Sequence, residues 1–192
     1  MSISTQIVYI MNNGKKDKHR NGKKQKTPDQ LKADLIKSIR MTVTKEDLAL
    51  LEAVKQGARL KCRRGSHHTY SIMLGKSGQY YYGLQQTYHR AGDLETCAEE
   101  MAKGNLQLNA DVCVTVATVH FLPLPDREDG GVTTIVPPCS GCATRLRHLE
   151  MTQHAPLGVL VFHKEEVLKV PPEYAHLFTY PIAYNGDGTS KF

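Results

Sequence analysis

No apolar run in these 192 residues approaches the ~20 that a membrane-spanning helix needs, and residues 1 to 11 lack the basic start and long apolar stretch of a secretory signal. A soluble chain without membrane contact, resident in the cytoplasm, is therefore expected. The five cysteines, Cys62, Cys97, Cys113, Cys139 and Cys142, are an odd set in a chain without an export signal, which speaks against a disulfide framework. No internal repeat is present, and the length fits one ordinary domain plus a tail. Net charge is also missing from most of the chain. Lys15, Lys16, Lys18, Arg20, Lys23, Lys24 and Lys26 against Asp17 carry the whole formal charge of +6, and the residues from Thr27 onward sum to zero.

Residues 1–27 are accordingly expected to form a basic, disordered tail, because a Gly, Asn and Lys-rich stretch has little apolar surface to bury. Such a tail is either simply solvated or a contact for single-stranded nucleic acid or nuclear import. Residues 28–192 hold the folded domain. Its composition is globular, 40% hydrophobic and 23% charged over the whole chain.

Residues 28–57 read as helix. Leu31, Leu35 and Ile39 recur at four-residue steps, Thr44 with Asp47 forms a capping-box pattern before Leu48, Leu51 and Val54, and Gly57-Ala58 offers an end. Residues 70–74 and 79–86, joined by Gly75-Lys76-Ser77-Gly78, give a hairpin signal. Helices are predicted over 96–106 and 140–149, and strands over 112–122, 132–136 and 158–163. This alternation predicts an α/β protein with a mixed or parallel sheet between helices.

Cys139 and Cys142 have the Cys-x-x-Cys spacing of metal ligands or of a redox pair. Upstream stands Cys97-Ala98-Glu99 at a predicted helix start, and the later pair sits in Pro138-Cys139-Ser140-Gly141-Cys142. Together the two segments resemble the signature of the cytidine deaminase superfamily in its three-cysteine form. The chemistry is consistent with that resemblance. Three thiolates occupy three tetrahedral positions around Zn²⁺ and leave the fourth open, which separates a catalytic site from a structural one. Helix N-termini favour the thiolates. Glu99 is placed to reach the open position and move protons without being a ligand. A structural zinc would need a fourth ligand, for which His120, His148 and His154 are the candidates. Cys62 and Cys113 read as ordinary residues, Cys113 in a buried strand.

The resemblance spans about residues 45–182 and is closest to the small tetrameric cytidine deaminases and blasticidin S deaminase. It implies a three-layer α/β/α sandwich with a five-stranded mixed sheet, one Zn²⁺ per subunit, and a homo-tetramer or homo-dimer whose subunits complete each other's sites. Where that family has an Asn-x-Glu for the ribose hydroxyls, this chain has Gln85-Gln86-Thr87, followed by Tyr88-His89, which resembles a Tyr-His pair of blasticidin S deaminase. The resemblance further implies that the N–H of Ala98 binds the base carbonyl and the carbonyl of Pro137 accepts from the exocyclic amine. It also implies that the N–H of Cys139 helps steady the zinc hydroxide and that Phe178 or Tyr180 stacks on the base. The family's arginine near the thiolates is replaced by His67, with Arg63 and Arg64 close by.

The implied activity is hydrolytic deamination of a cytosine nucleoside (cytidine, deoxycytidine or an analogue) to the uracil form with release of ammonia. Two alternatives stand beside it. One is deamination of cytosine in single-stranded DNA or RNA, suggested by the tail, by Arg59, Lys61, Arg63 and Arg64, and by Tyr80, Tyr81 and Tyr82, of which Tyr81 must face away from its neighbours. The other is a catalytically silent, zinc-bound interaction module.

Overall fold

The computed structural model describes residues 26–62, 69–87, 95–123, 131–163 and 165–178. The tail up to residue 25 lies outside them, as do Arg63, Arg64, His67, Tyr88, His89 and Tyr180. The described residues fall into two compact units divided between Ile39 and Arg40. The first holds helix α1, Pro28–Ile39. Thr27 opens it with a reciprocal cap: its N–H donates to Gln30 Oε1 at 2.9 Å and its Oγ1 accepts from the Gln30 N–H at 3.3 Å. Pro28 at the first helical position costs no hydrogen bond.

The second unit begins with helix α2, Lys45–Lys61, whose capping box of Thr44 and Asp47 is present in both directions. The helix runs on past the Gly57-Ala58 end expected from sequence. Ala58 and Cys62 are fully buried in the core, so the last turn gains more by packing than it loses by carrying a glycine. Next come strands β1, Thr69–Gly75, and β2, Tyr80–Leu84, paired antiparallel as a hairpin. Asp111 fixes the turn, accepting from the Ser77 hydroxyl and from the Tyr81 hydroxyl at 2.9 Å. A short ribbon of β3, Gln86–Thr87, and β4, Glu95–Thr96, leads into helix α3, Ala98–Leu108.

Strand β5, Cys113–Pro123, is followed by β6, Gly131–Ile135, helix α4, Ser140–Gln153, and strands β7, Gly158–His163, and β8, Glu166–Val170. A 3₁₀ segment, Pro172–Phe178, closes the described chain. The sheet order is β2-β1-β5-β7-β8, with β6 paired beside the far half of β5. Among the described strands only β5 and β7 run parallel.

This is the expected α/β/α sandwich around a mixed sheet, but with six strands instead of five. The reason lies in β5, whose 11 residues are about twice an ordinary strand. Thr115 and Val116 pair with β7, the two strands pair no further, and the stretch from Val119 to Pro123 takes β6 as its own partner.

One layer is α2, whose Leu50, Leu51, Val54 and Ala58 pack on Ile72, Ala117, Val119 and Phe121. By strand alternation Ser71, Val116 and Thr118 face the other way, toward α3. A buried ion pair ties α2 to the sheet. Lys169 Nζ reaches both Asp47 oxygens at 3.0 and 3.1 Å, and Thr115 Oγ1 donates to Asp47 Oδ1 at 2.7 Å. The lysine stem crosses Gly158, where any side chain would collide with it.

Candidate metal centre

Cys97 and Cys139 are the N-cap residues of α3 and α4, both with extended backbone, so each thiol stands where the first N–H groups of a helix have no intrahelical acceptor. Cys142 lies one turn into α4 and its N–H donates to Cys139 Sγ at 3.4 Å. The two helix starts meet. Cys97 and Cys139 have their sulfurs 3.9 Å apart, and all three sulfurs lie within 4.8 Å of one another.

A tetrahedral zinc with Zn–S near 2.3 Å puts sulfurs about 3.8 Å apart, so the spacing suits the ion. The donor set is also right. Burial pushes the thiols of Cys97 and Cys142 above their ordinary pKa, and a divalent cation is the partner that would hold them as thiolates. Among the described residues no histidine joins the group, so His120, His148 and His154 supply no fourth ligand.

Glu99 occupies the first turn of α3 with 5% of its surface exposed. Burial pushes its carboxyl above the usual carboxylate range. Two neighbours oppose that: the Cys142 thiol, and Thr118, whose hydroxyl donates to Oε1 at 3.3 Å. The carboxyl thus stands beside the thiol cluster, held from the sheet side.

What brings α3 to this place is Gly83. A Cβ there would collide with the Ala98 carbonyl and stand 2.5 Å from the Ala102 nitrogen, so the helix rests on the bare backbone of β2. The other helix start is set by β5: the Val136 N–H donates to the Thr118 carbonyl at 3.0 Å, which fixes the Pro137-Pro138 approach to Cys139. Pro138 is buried and Pro137 half-buried.

The remaining expected site residues are distributed as follows. Ala98 is fully buried and its N–H is the first of α3. Gln85 is half-buried between β2 and β3, its N–H donating to the Thr69 carbonyl at 3.0 Å. Thr87 ends β3, in register with Glu95. Phe178 is 4% exposed and packs edge-on against His163, ring centroids 5.5 Å apart. The tyrosine run alternates as predicted. Tyr81 is buried toward Asp111, whereas Tyr80 and Tyr82 face the α2 side with Tyr70 and Lys61, along a groove of about 710 Å³.

Sequence reasoning passed over Thr118, Ser71, Gly83 and Arg145. The first two carry a signal, hydroxyls inside strands that are otherwise apolar on that face, and Gly83 is a glycine inside a strand. Arg145 of α4 reaches α3, its Nε 3.8 Å from Glu100, which also pairs with Lys103 at 2.9 Å.

Comparison with known structures bears on the fold. A cytidine deaminase from Bacillus anthracis superposes with a TM-score of 0.52 at 16% identity, covering 73% of this chain and 93% of its own. The chain has the cytidine deaminase fold. Cytidine deaminases from Burkholderia pseudomallei (TM-score 0.47, 19% identity, 69% of this chain and 96% of that one) and Mycobacterium tuberculosis (0.46, 16%, 66% and 90%) are also similar. No family model and no curated protein sequence matches the chain.

Proposed function

We propose that this protein is a zinc-dependent hydrolytic deaminase acting on a cytosine nucleoside or a cytosine nucleoside analogue. The observation that carries the reading is the convergence of Cys97, Cys139 and Cys142 at two helix N-termini with the buried Glu99 beside them. Three sulfur donors leave one tetrahedral position open, and a zinc ion held there would supply the Lewis acidity that makes water a nucleophile near neutral pH.

Glu99 is the proton carrier in this reading. It takes a proton from the attacking water, delivers it to the ring nitrogen of the base, and later passes a proton to the departing amine, which leaves as ammonia. A carboxyl already raised by burial is suited to both accepting and releasing a proton. The Ala98 N–H and the Pro137 carbonyl would orient the base at its carbonyl and amine, and Gln85, Thr87, Tyr88, His89 and Phe178 would decide which cytosine compound fits. A homo-oligomer, tetramer or dimer, belongs to the same reading.

The test is a deamination panel of cytidine, deoxycytidine, blasticidin S and single-stranded oligonucleotides, run on zinc-loaded protein beside Glu99→Ala. Mass spectrometry is expected to show exchange of an amine for an oxygen on a free nucleoside, with Glu99→Ala reduced by at least about a hundredfold. Turnover confined to oligonucleotides would move the substrate to a nucleic acid strand. The groove beside Tyr80 and Tyr82 would favour that second reading, because bases stack on tyrosine and Lys61 is placed for phosphate. A panel untouched throughout would sink the deaminase.

A further inference from the structure

Two hydroxyls stand in the middle of the sheet where packing alone calls for apolar groups. Ser71 on β1 and Thr118 on β5 are directly opposite in the antiparallel register, 0% and 2% exposed. A buried hydroxyl without a partner costs roughly 1–3 kcal/mol, so such a pair persists only if its bonds are made. They are made with each other and with Glu99. Ser71 Oγ and Thr118 Oγ1 are 2.9 Å apart, Ser71 Oγ is 3.3 Å from the Ala117 carbonyl, and Thr118 Oγ1 is 3.3 Å from Glu99 Oε1.

With Ser71 donating to Thr118, the Thr118 hydroxyl is left to donate to the Glu99 carboxyl, so the two hydroxyls form one chain that ends on Oε1. Valine in place of threonine would break that chain.

We infer that Thr118, backed by Ser71, is the positioning residue that holds the Glu99 carboxyl in one orientation. This rests on the deaminase reading for its consequence in turnover, although the orientation itself does not. Thr118 touches neither substrate nor metal in this role; it acts through Glu99. The threonine is itself held on both sides of its strand position, by Ser71 through the side chain and by the Val136 N–H through the backbone.

The experiment compares Thr118→Val, Thr118→Ser and Ser71→Ala with wild type in the zinc-loaded protein. On whichever cytosine compound the wild type turns over, Thr118→Val is expected to lower kcat about tenfold or more with KM within about twofold. Thr118→Ser should recover most of that loss, and Ser71→Ala should fall between. Crystal structures of the same proteins give a readout independent of activity: one Glu99 rotamer in wild type and Thr118→Ser, and a displaced or divided carboxyl in Thr118→Val. An undisturbed Glu99 rotamer in Thr118→Val overturns the inference, as does an unchanged kcat in an active enzyme. Wild type inert on every compound would overturn the deaminase instead, and the rotamers would then decide the positioning role alone.

Discussion

Cys62 and Cys113 share a residue type with the metal cluster and little else. Both are at most 1% exposed, and burial pushes their thiols up to about 11 and about 12 respectively. Cys139 is exposed and Cys97 half-buried. Reactivity follows thiolate content and access, so the two groups should separate cleanly. In zinc-loaded protein near pH 7.5 we expect an alkylating reagent to label none of the five cysteines fast. After a strong chelator, Cys139 and then Cys97 should label while Cys62 and Cys113 stay unmodified until the protein unfolds, as peptide mass spectrometry would show. Rapid labelling of Cys139 at full zinc occupancy would count against it as a ligand. The cysteines are also where the sequence was most legible, since a Cys-x-x-Cys after proline and a Cys-Ala-Glu at a helix start are local patterns. Thr118 was not legible. Its role depends on a carboxylate 19 residues away that only the crossing of α3 over the sheet brings near.

Helix α3 depends on β2 in the same non-local way. The helix lies against Gly83 so closely that Gly83→Ala must push it outward, because the obstacle is the backbone at Ala98 and Ala102, not a side chain that could turn aside. The displacement falls on the turn that carries Cys97 and Glu99. We expect Gly83→Ala to lose about 2 kcal/mol or more in chemical denaturation and to hold zinc more weakly in a competition with a chromogenic chelator. Native zinc affinity with full stability would show that α3 does not need the bare strand.

Elements whose signals are short-range were readable in advance: the cap of Thr44 with Asp47, the hairpin, the helices after each cysteine. Strand β8 was not. Its Val-Leu-Lys-Val places a lysine at a core position, which breaks the apolar pattern, and Lys169 is tolerable there only because Asp47 of α2 lies across the sheet to receive it. Strand β6 was readable as residues 132–136, but not its place as a sixth strand, which it takes by pairing with β5 beyond the residues that pair with β7.

For the molecule as a whole, the pair of Asp47 and Lys169 joins the first helix of the folded unit to its last strand, 122 residues apart. Burial works against the Asp47 carboxylate, but hydrogen bonds from Thr115, Thr44 and Lys169 outweigh it and hold the group below its ordinary value. The folded pKa lies below the unfolded one of about 3.9. The stabilisation is therefore whole well above pH 4 and is lost as pH falls through the unfolded value toward the folded one. Urea melts at pH 7 and pH 3 should show Asp47→Asn losing less between the two than wild type does. Lys169→Met, which leaves the carboxylate buried without its cation, should cost about 3 kcal/mol or more at pH 7. Equal pH dependence in wild type and Asp47→Asn would show that Asp47 is not the group that matters.

Strand β5 carries both arrangements. Thr115 turns to Asp47 on one face and Thr118, three residues on, turns to Glu99 on the other. The sheet therefore stands as a partition between a face that carries the buried ion pair and a face that carries the proposed proton carrier. Lineages of this protein could tune the first for heat or acidity, residue by residue, and leave the second untouched.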